Sequence, residues 1–164
     1  MKCPTCGAGN IDGSDACDSC HAPLTDMAEV SPKKGMEKRI IEGRIKDLSP
    51  KKALTVVPSD SLAKALELMR KNSVGCVLVV DKGSLSGILS ERELLFKTNE
   101  TTDPAKTKVS EVMRTHQTPL REDDEVGEVF HRLALSGHRH ASIKFGDGSY
   151  GVVSARDLLR YLCK

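Results

Sequence analysis

Tryptophan is absent from the 164-residue chain, and aromatic residues make up only 3% of it. A core must therefore be built from Val, Ile, Leu, Ala and Met, and the rings on which single-strand nucleic-acid readers stack bases are scarce. Charge of one sign is lacking too: 25 Lys and Arg against 23 Asp and Glu leave a net charge of +2. That is not the electrostatic footprint of a dedicated nucleic-acid binder. No signal-peptide pattern and no apolar run of about 20 residues occurs. The expectation is a soluble, cytoplasmic protein without a membrane partner.

What is present is unevenly placed. Four of the six cysteines fall within the first 20 residues, as Cys3-x2-Cys6-x10-Cys17-x2-Cys20. Without a secretory signal, two Cys-x2-Cys pairs read as one tetrahedral four-cysteine metal site, each pair forming a tight knuckle that offers two thiolates to one ion. The spacer is shorter than the roughly 15 to 20 residues usual for this pattern, and its glycines permit the short turn that results. Residues 1–24 contain too few apolar side chains for a core of their own, so their folding is expected to depend on the metal. The segment resembles a zinc ribbon or rubredoxin-type knuckle pair. Zinc is the ion this implies, and four thiolates also accept iron. His21 adjoins Cys20, but four thiolates already close the site. Cys76, inside "VGCVLVV", is expected to act as a small buried hydrophobe.

Residues 25–44 read as a linker of mixed charge. Met36, Ile40 and Ile41 fall at helical spacing that continues to Ile45 and Leu48, predicting a short helix that packs onto the next domain.

The rest of the chain is a repeat, the feature to seek before any other. An offset of 64 residues, with no gap, lays "GILSERELL" at 87–95 on "GVVSARDLL" at 151–159, and Asp60, Leu62, Leu66 and Met69 on Asp124, Val126, Phe130 and Leu133. In the first copy "LTVVP" predicts a strand, and Leu62, Ala65, Leu66 and Met69 the apolar face of a helix. "VGCVLVV" and "LSGILS" are buried strands about the turn "DKGS", and "ERELLFK" opens a second helix. In the second copy "TPLRE" precedes a helix with Val126, Val129, Phe130, Leu133 and Ala134 on one face; "RHASIKF", "GDGS", "YGVVS" and "ARDLLRYL" come next. Each unit is β-α-β-β-α, so the fold class is mixed α and β. The expected plan is a ribbon at 1–24, a linker at 25–44, unit one at 45–108 and unit two at 109–164.

The doubled strand-turn-strand with its Gly-h-h-Ser-x-x-acid motif resembles a tandem pair of CBS domains. The resemblance implies two pseudo-symmetric units in one module, with clefts that bind adenosine-containing ligands (AMP, ADP, ATP or S-adenosylmethionine), and association as a homodimer. By that resemblance Asp157 would hold a ribose, Ser154 a ribose or phosphate oxygen, and Arg156 a phosphate. Ser90, Arg92 and Glu93 occupy the same positions in the first copy, where Glu is one methylene longer than the commoner Asp. Both acids equally suit stabilisation of a helix start. His138, Arg139 and His140 replace Val74, Gly75 and Cys76 and would favour a polyphosphate, with pH sensitivity if the imidazoles titrate near about 6.5. Val56, Val57 and Pro58, with Thr118, Pro119 and Leu120, are candidate walls for adenine, and equally candidate core residues.

No Walker loop, hydrolase triad or open metal position can be assembled, so the chain reads as a non-catalytic regulator of an unknown protein. Two alternatives are a nucleic-acid-binding regulator that uses the ribbon, and an iron-bearing electron-transfer module.

Overall fold

The computed structural model describes residues 3, 5–11, 14–22, 35–115 and 118–163. Residues 25–34 of the expected linker lie outside the described residues. Residues 1–38 and 39–164 form two compact units.

In the first unit the two Cys-x2-Cys segments fold alike. Gly7 N–H donates to the Cys3 carbonyl at 2.7 Å, and His21 N–H donates to the Cys17 carbonyl at 2.8 Å. Cys3 and Cys17 N–H groups in turn donate to Ala8 and Ala22. Gly7 and His21 both adopt the left-handed conformation, with φ of 75° and 53°. His21 is thus the turn residue of its knuckle, at the place Gly7 takes in the other.

Helix α1 (Gly35–Glu42) spans the junction of the two units. The expected helical run to Leu48 is broken at Gly43, where a Cβ would meet the Tyr161 hydroxyl at 2.3 Å and the Arg39 carbonyl at 2.4 Å. Ile45 and Leu48 are buried instead in a separate 3-10 turn (Ile45–Leu48). Of the apolar α1 residues only Ile40 packs on a core, while Met36 and Ile41 are exposed.

The second unit carries the repeat. Its first half has β2 (Thr55–Val56), α2 (Leu62–Asn72), β3 (Cys76–Asp81), β4 (Ser84–Ser90) and α3 (Glu91–Lys97), after the short β1 (Lys51–Lys52). Its second half has α4 (Val109–Val112), β5 (Leu120–Arg121), α5 (Val126–Ser136), β6 (His140–Lys144), β7 (Tyr150–Ser154) and α6 (Ala155–Leu162). The sheets are ordered β2-β3-β4 and β1-β7-β6-β5; β3 and β6 each have a parallel and an antiparallel neighbour, and β7 has two antiparallel ones. This is the expected mixed class. The helices α2 and α5 coincide residue for residue under the offset of 64.

The helix faces are narrower than the periodicity suggests. Leu62, Ala65 and Met69 are buried in α2, and Val126, Val129 and Leu133 in α5. At about 100° per residue these positions share one arc, whereas Phe130 and Ala134 turn past its rim; Phe130 is 45% exposed and Ala134 is exposed too. Leu66, at the Phe130 position of the first copy, is half-buried against its core.

The halves exchange their leading segments. Ile45 and Leu48 complete the core of the second half, while Val109 and Val112, 64 residues on, complete that of the first. The backbone repeats the exchange: Ile45 N–H donates to Asp124 O and Val109 N–H to Asp60 O, each at 2.9 Å. The isolated bridges Arg44 to Glu125 and Ser61 to Lys108 obey the same offset. The incoming chain also explains the motif glycine. A Cβ at Gly87 would lie 2.5 Å from the Arg114 carbonyl, and one at Gly151 would lie 3.0 Å from that of Lys51 and 2.5 Å from the Phe145 ring.

Candidate functional site

The Ser-x-x-acid turns are built twice by one set of bonds. Ser154 N–H donates to Asp157 Oδ2 at 3.0 Å, the Ser154 hydroxyl meets the same oxygen at 2.5 Å, and Asp157 N–H returns a bond to Ser154 Oγ at 3.3 Å. This capping box starts α6. Ser90 and Glu93 repeat it at α3: Ser90 N–H donates to Glu93 Oε2 at 3.1 Å, and its hydroxyl bonds the same oxygen.

The extra methylene then decides what each acid faces. Glu93 is folded back, 6% exposed, and lines neither cleft of this unit. One of its carboxylate oxygens is bonded by Ser90 as Asp157 is by Ser154, but its burial keeps it from either cleft wall, where the expected ribose contact would have placed it. The Asp157 side chain is 26% exposed and lines a cleft of ≈ 740 Å³. Burial pushes its carboxyl up, but the Ser154 bonds, Arg160 and Lys51 outweigh this and hold it below the usual carboxylate range. Its Oδ1 stands 3.5 Å from Arg160 Nη1.

The large cleft brings Ser154, Arg156 and Asp157 together with Arg139 and His140, but not with Thr118, Pro119 or Leu120. Leu120 is in the core. Most of the apolar wall comes from the first copy, as Ala53, Leu54, Met69 and Val74, with Val152 and Ala155 from the second; the exchanged leading segment brings 51–54 beside β7. Val56, Val57 and Pro58 line neither cleft; Val56 is in the core and Val57 is exposed. A short strand directed into its own half explains both corrections.

A second cleft, of ≈ 290 Å³, holds Ser90 and Arg92 together with His138, Arg139 and His140. The basic triplet of the second copy thus faces the motif of the first. The expected strand "RHASIKF" starts only at His140, leaving His138 and Arg139 just ahead of it. Arg92 is fixed across the halves, with Nη1 3.2 Å from the Gly137 carbonyl and its guanidinium 5.0 Å from the centre of the Phe96 ring. His140 does not titrate at its ordinary value: burial lowers it, against the opposing fields of Glu91, Glu93 and Asp157.

Residues 45–99 and 109–164 each match the family model described as "CBS domain". The chain belongs to the CBS domain family. CBS pairs are regulatory modules, and this one is 28% identical over 114 residues to the CBS domain-containing protein YhcV of Bacillus subtilis, covering 70% of this chain and 81% of YhcV. Among solved structures, the CBS domain protein NE2398 superposes with a TM-score of 0.67 at 23% identity, over 74% of this chain and 98% of that one. CBSX2, solved in complex with AMP, gives 0.58 at 23% identity, over 71% and 93%.

In the first unit all four predicted sulfurs converge, lying within 4.8 Å of one another. Cys3 and Cys20 Sγ are 3.7 Å apart, and Cys6 and Cys17 Sγ are 3.6 Å apart. A tetrahedron with Zn–S bonds of about 2.3 Å has edges of about 3.8 Å, so the donors fit a zinc ion. The Cys20 and Ser19 amides draw Cys17 down to about 6, and the Cys6 amide leads the lowering of Cys3. The Ala8 amide draws Cys6 down too, but Cys20, burial, Cys17 and Cys3 together push it up to about 12.

Sequence reasoning missed Glu91, which lines both clefts, and Lys51, Arg70 and Arg160 in the larger one. None of them carried a signal in the sequence, because their approach depends on how the two halves assemble.

Among the described residues, no helix is long and apolar enough to cross a membrane.

Proposed function

We propose that this CBS protein is a non-catalytic regulator that senses an adenosine-containing ligand through Asp157 and communicates through a zinc-bound ribbon. The observation that carries the reading is a carboxylate with one oxygen anchored by Ser154 and the side chain presented to a largely cationic cleft. That arrangement suits the two hydroxyls of a ribose, with Ser154 and Arg156 placed for phosphate. The AMP complex of CBSX2, which shares the fold, supports the ligand class.

Cys3, Cys6, Cys17 and Cys20 would hold the zinc. When bound it supplies a structural crosslink rather than chemistry, since four thiolates leave no open position. A homodimer through the CBS pair is part of the reading. It is supported by Leu95 and Leu159, which stand at equivalent positions of α3 and α6 and are 81% and 61% exposed; sedimentation of a Leu95→Asp, Leu159→Asp variant as a monomer, against a wild-type dimer, checks it.

Thermal unfolding of the metal-loaded protein against AMP, ADP, ATP, S-adenosylmethionine and GTP tests the central claim. A ligand at about 100 times its dissociation constant adds about 2.7 kcal/mol. An adenosine-specific rise that vanishes in Asp157→Ala supports the reading, and no shift with any ligand refutes it. Communication with the ribbon requires hydrogen exchange in residues 1–24 to change on saturation.

A further inference from the structure

The two sulfurs of each knuckle are not alike. Cys3 and Cys17 are buried, whereas Cys6 and Cys20 are exposed. The short contacts cross between the knuckles and join unlike partners. Exposed Cys20 stands 3.7 Å from buried Cys3, and exposed Cys6 stands 3.6 Å from buried Cys17. To reach bonding distance each pair has to close by only about 1.6 Å. Cys76 and Cys163 do not belong to the cluster.

Little else holds this unit together. The buried residues of its core are Cys3 and Cys17 themselves, packed against Ala8 and Ala22. Asn10 of the spacer ties one knuckle to the other: its Nδ2 donates to the Ala8 carbonyl at 3.0 Å, and its Oδ1 accepts the Asp18 N–H at 3.0 Å. The chain itself therefore helps to keep the sulfurs opposite one another. Cysteines that hold a metal are deprotonated, and the thiolate is the form that oxidants attack.

We propose that the four cysteines are a peroxide-responsive thiol switch, in which Cys6 and Cys20 are oxidised first and close disulfides onto Cys17 and Cys3 of the opposite knuckle. This rests on the four-thiolate ribbon of the proposed function and is independent of the nucleotide. In each pair one hydroxyl of the peroxide passes to the exposed thiolate as a sulfenic acid, and the other takes up a proton and leaves as water. The buried thiolate then attacks that sulfur; the S–S bond forms, the S–O bond breaks, and the hydroxyl takes up a proton and leaves as a second water. Two electrons pass from the two thiolates to the peroxide. Two such closures leave no thiolate for zinc, while the crosslinks still join the knuckles.

Peroxide titration of the full, zinc-loaded chain tests this, with free zinc followed by a chromogenic chelator and sulfur pairing by mass spectrometry. Cys163, exposed and outside the cluster, gauges the dose. The expected result is a Cys3 to Cys20 and a Cys6 to Cys17 disulfide, release of about one equivalent of zinc, and reversal on adding dithiothreitol and zinc. Disulfides within a knuckle, Cys3 to Cys6 or Cys17 to Cys20, overturn the proposal. Sulfinic or sulfonic acids at Cys6 and Cys20 without disulfides also overturn it, as do four intact thiols and retained zinc once Cys163 is oxidised. A chain that takes up no zinc refutes the metal reading, and the disulfide map of that chain still decides this one.

Discussion

The two halves of the CBS module follow one plan down to single hydrogen bonds, yet at equivalent places they do opposite things. Position 93 carries an acid that turns inward, and position 157 one that looks out. Cys76 and His140 are equivalents as well. Burial, helped by Glu93 and Glu91, raises Cys76 to about 12, and burial lowers His140. Both side chains are driven toward neutrality at the wall between the clefts. The acid of the first copy is buried in its turn, and that of the second lines the larger cleft. The repeat preserves backbone geometry in both its local caps and its long-range bonds, while equivalent side chains differ in burial.

The largest effect that would break this comparison is at the acids. Glu93→Ala strips a buried cap and leaves Ser90 short of its partner, so chemical denaturation should show a loss of about 2 to 3 kcal/mol, with ligand-induced stabilisation retained. Asp157→Ala should cost about 1 kcal/mol as a lost cap and abolish the ligand response. The reverse pattern would exchange the two roles.

A smaller effect is expected at Ser142, the counterpart of Leu78. Its hydroxyl is buried with no hydrogen-bond partner among the described residues. Ser142→Ala should raise stability by about 1 kcal/mol by removing that group, and an unchanged or lower denaturation midpoint would contradict this.

The smallest concerns pH. The unfolded chain takes up a proton on His140 near the ordinary histidine value of 6.5, whereas the folded chain resists until a lower pH. Stability is therefore complete above 6.5 and declines as pH falls toward the depressed folded value. His140 faces Glu91, Glu93 and Asp157, which oppose the shift, and Arg114, which adds to it. His140→Asn should flatten that part of a stability profile measured from about pH 8 to about pH 5. Cys76→Ser should leave it unchanged, because a thiol raised to about 12 is protonated throughout.

Much of this was legible in the sequence. The gap-free repeat predicted the β-α-β-β-α order, and the cysteine spacing predicted four sulfurs that do converge. The motif's double occurrence singled out Ser154 and Asp157, which form a capping box and line the larger cleft. What the sequence concealed was long-range. That Thr118 to Leu120 fail to reach the Asp157 cleft, and that 51–54 do, results from an exchange of leading segments between halves, which no local pattern encodes. The inward turn of Glu93 depends on side-chain length against a fixed cap, visible only once the cap is built. Phe130 fell outside the core because helical periodicity gives the direction of a face but not its width.

That exchange has a consequence for the module's lineage and its folding. Each half is a socket whose plug, Ile45 with Leu48 or Val109 with Val112, belongs to the reading frame of the other. A polypeptide carrying one copy alone would present an empty socket and an unhoused plug, and two such polypeptides would clasp each other. The fused chain holds that clasp within one molecule, so its halves should melt together, and a cut in the connection between them should leave two pieces that remain locked.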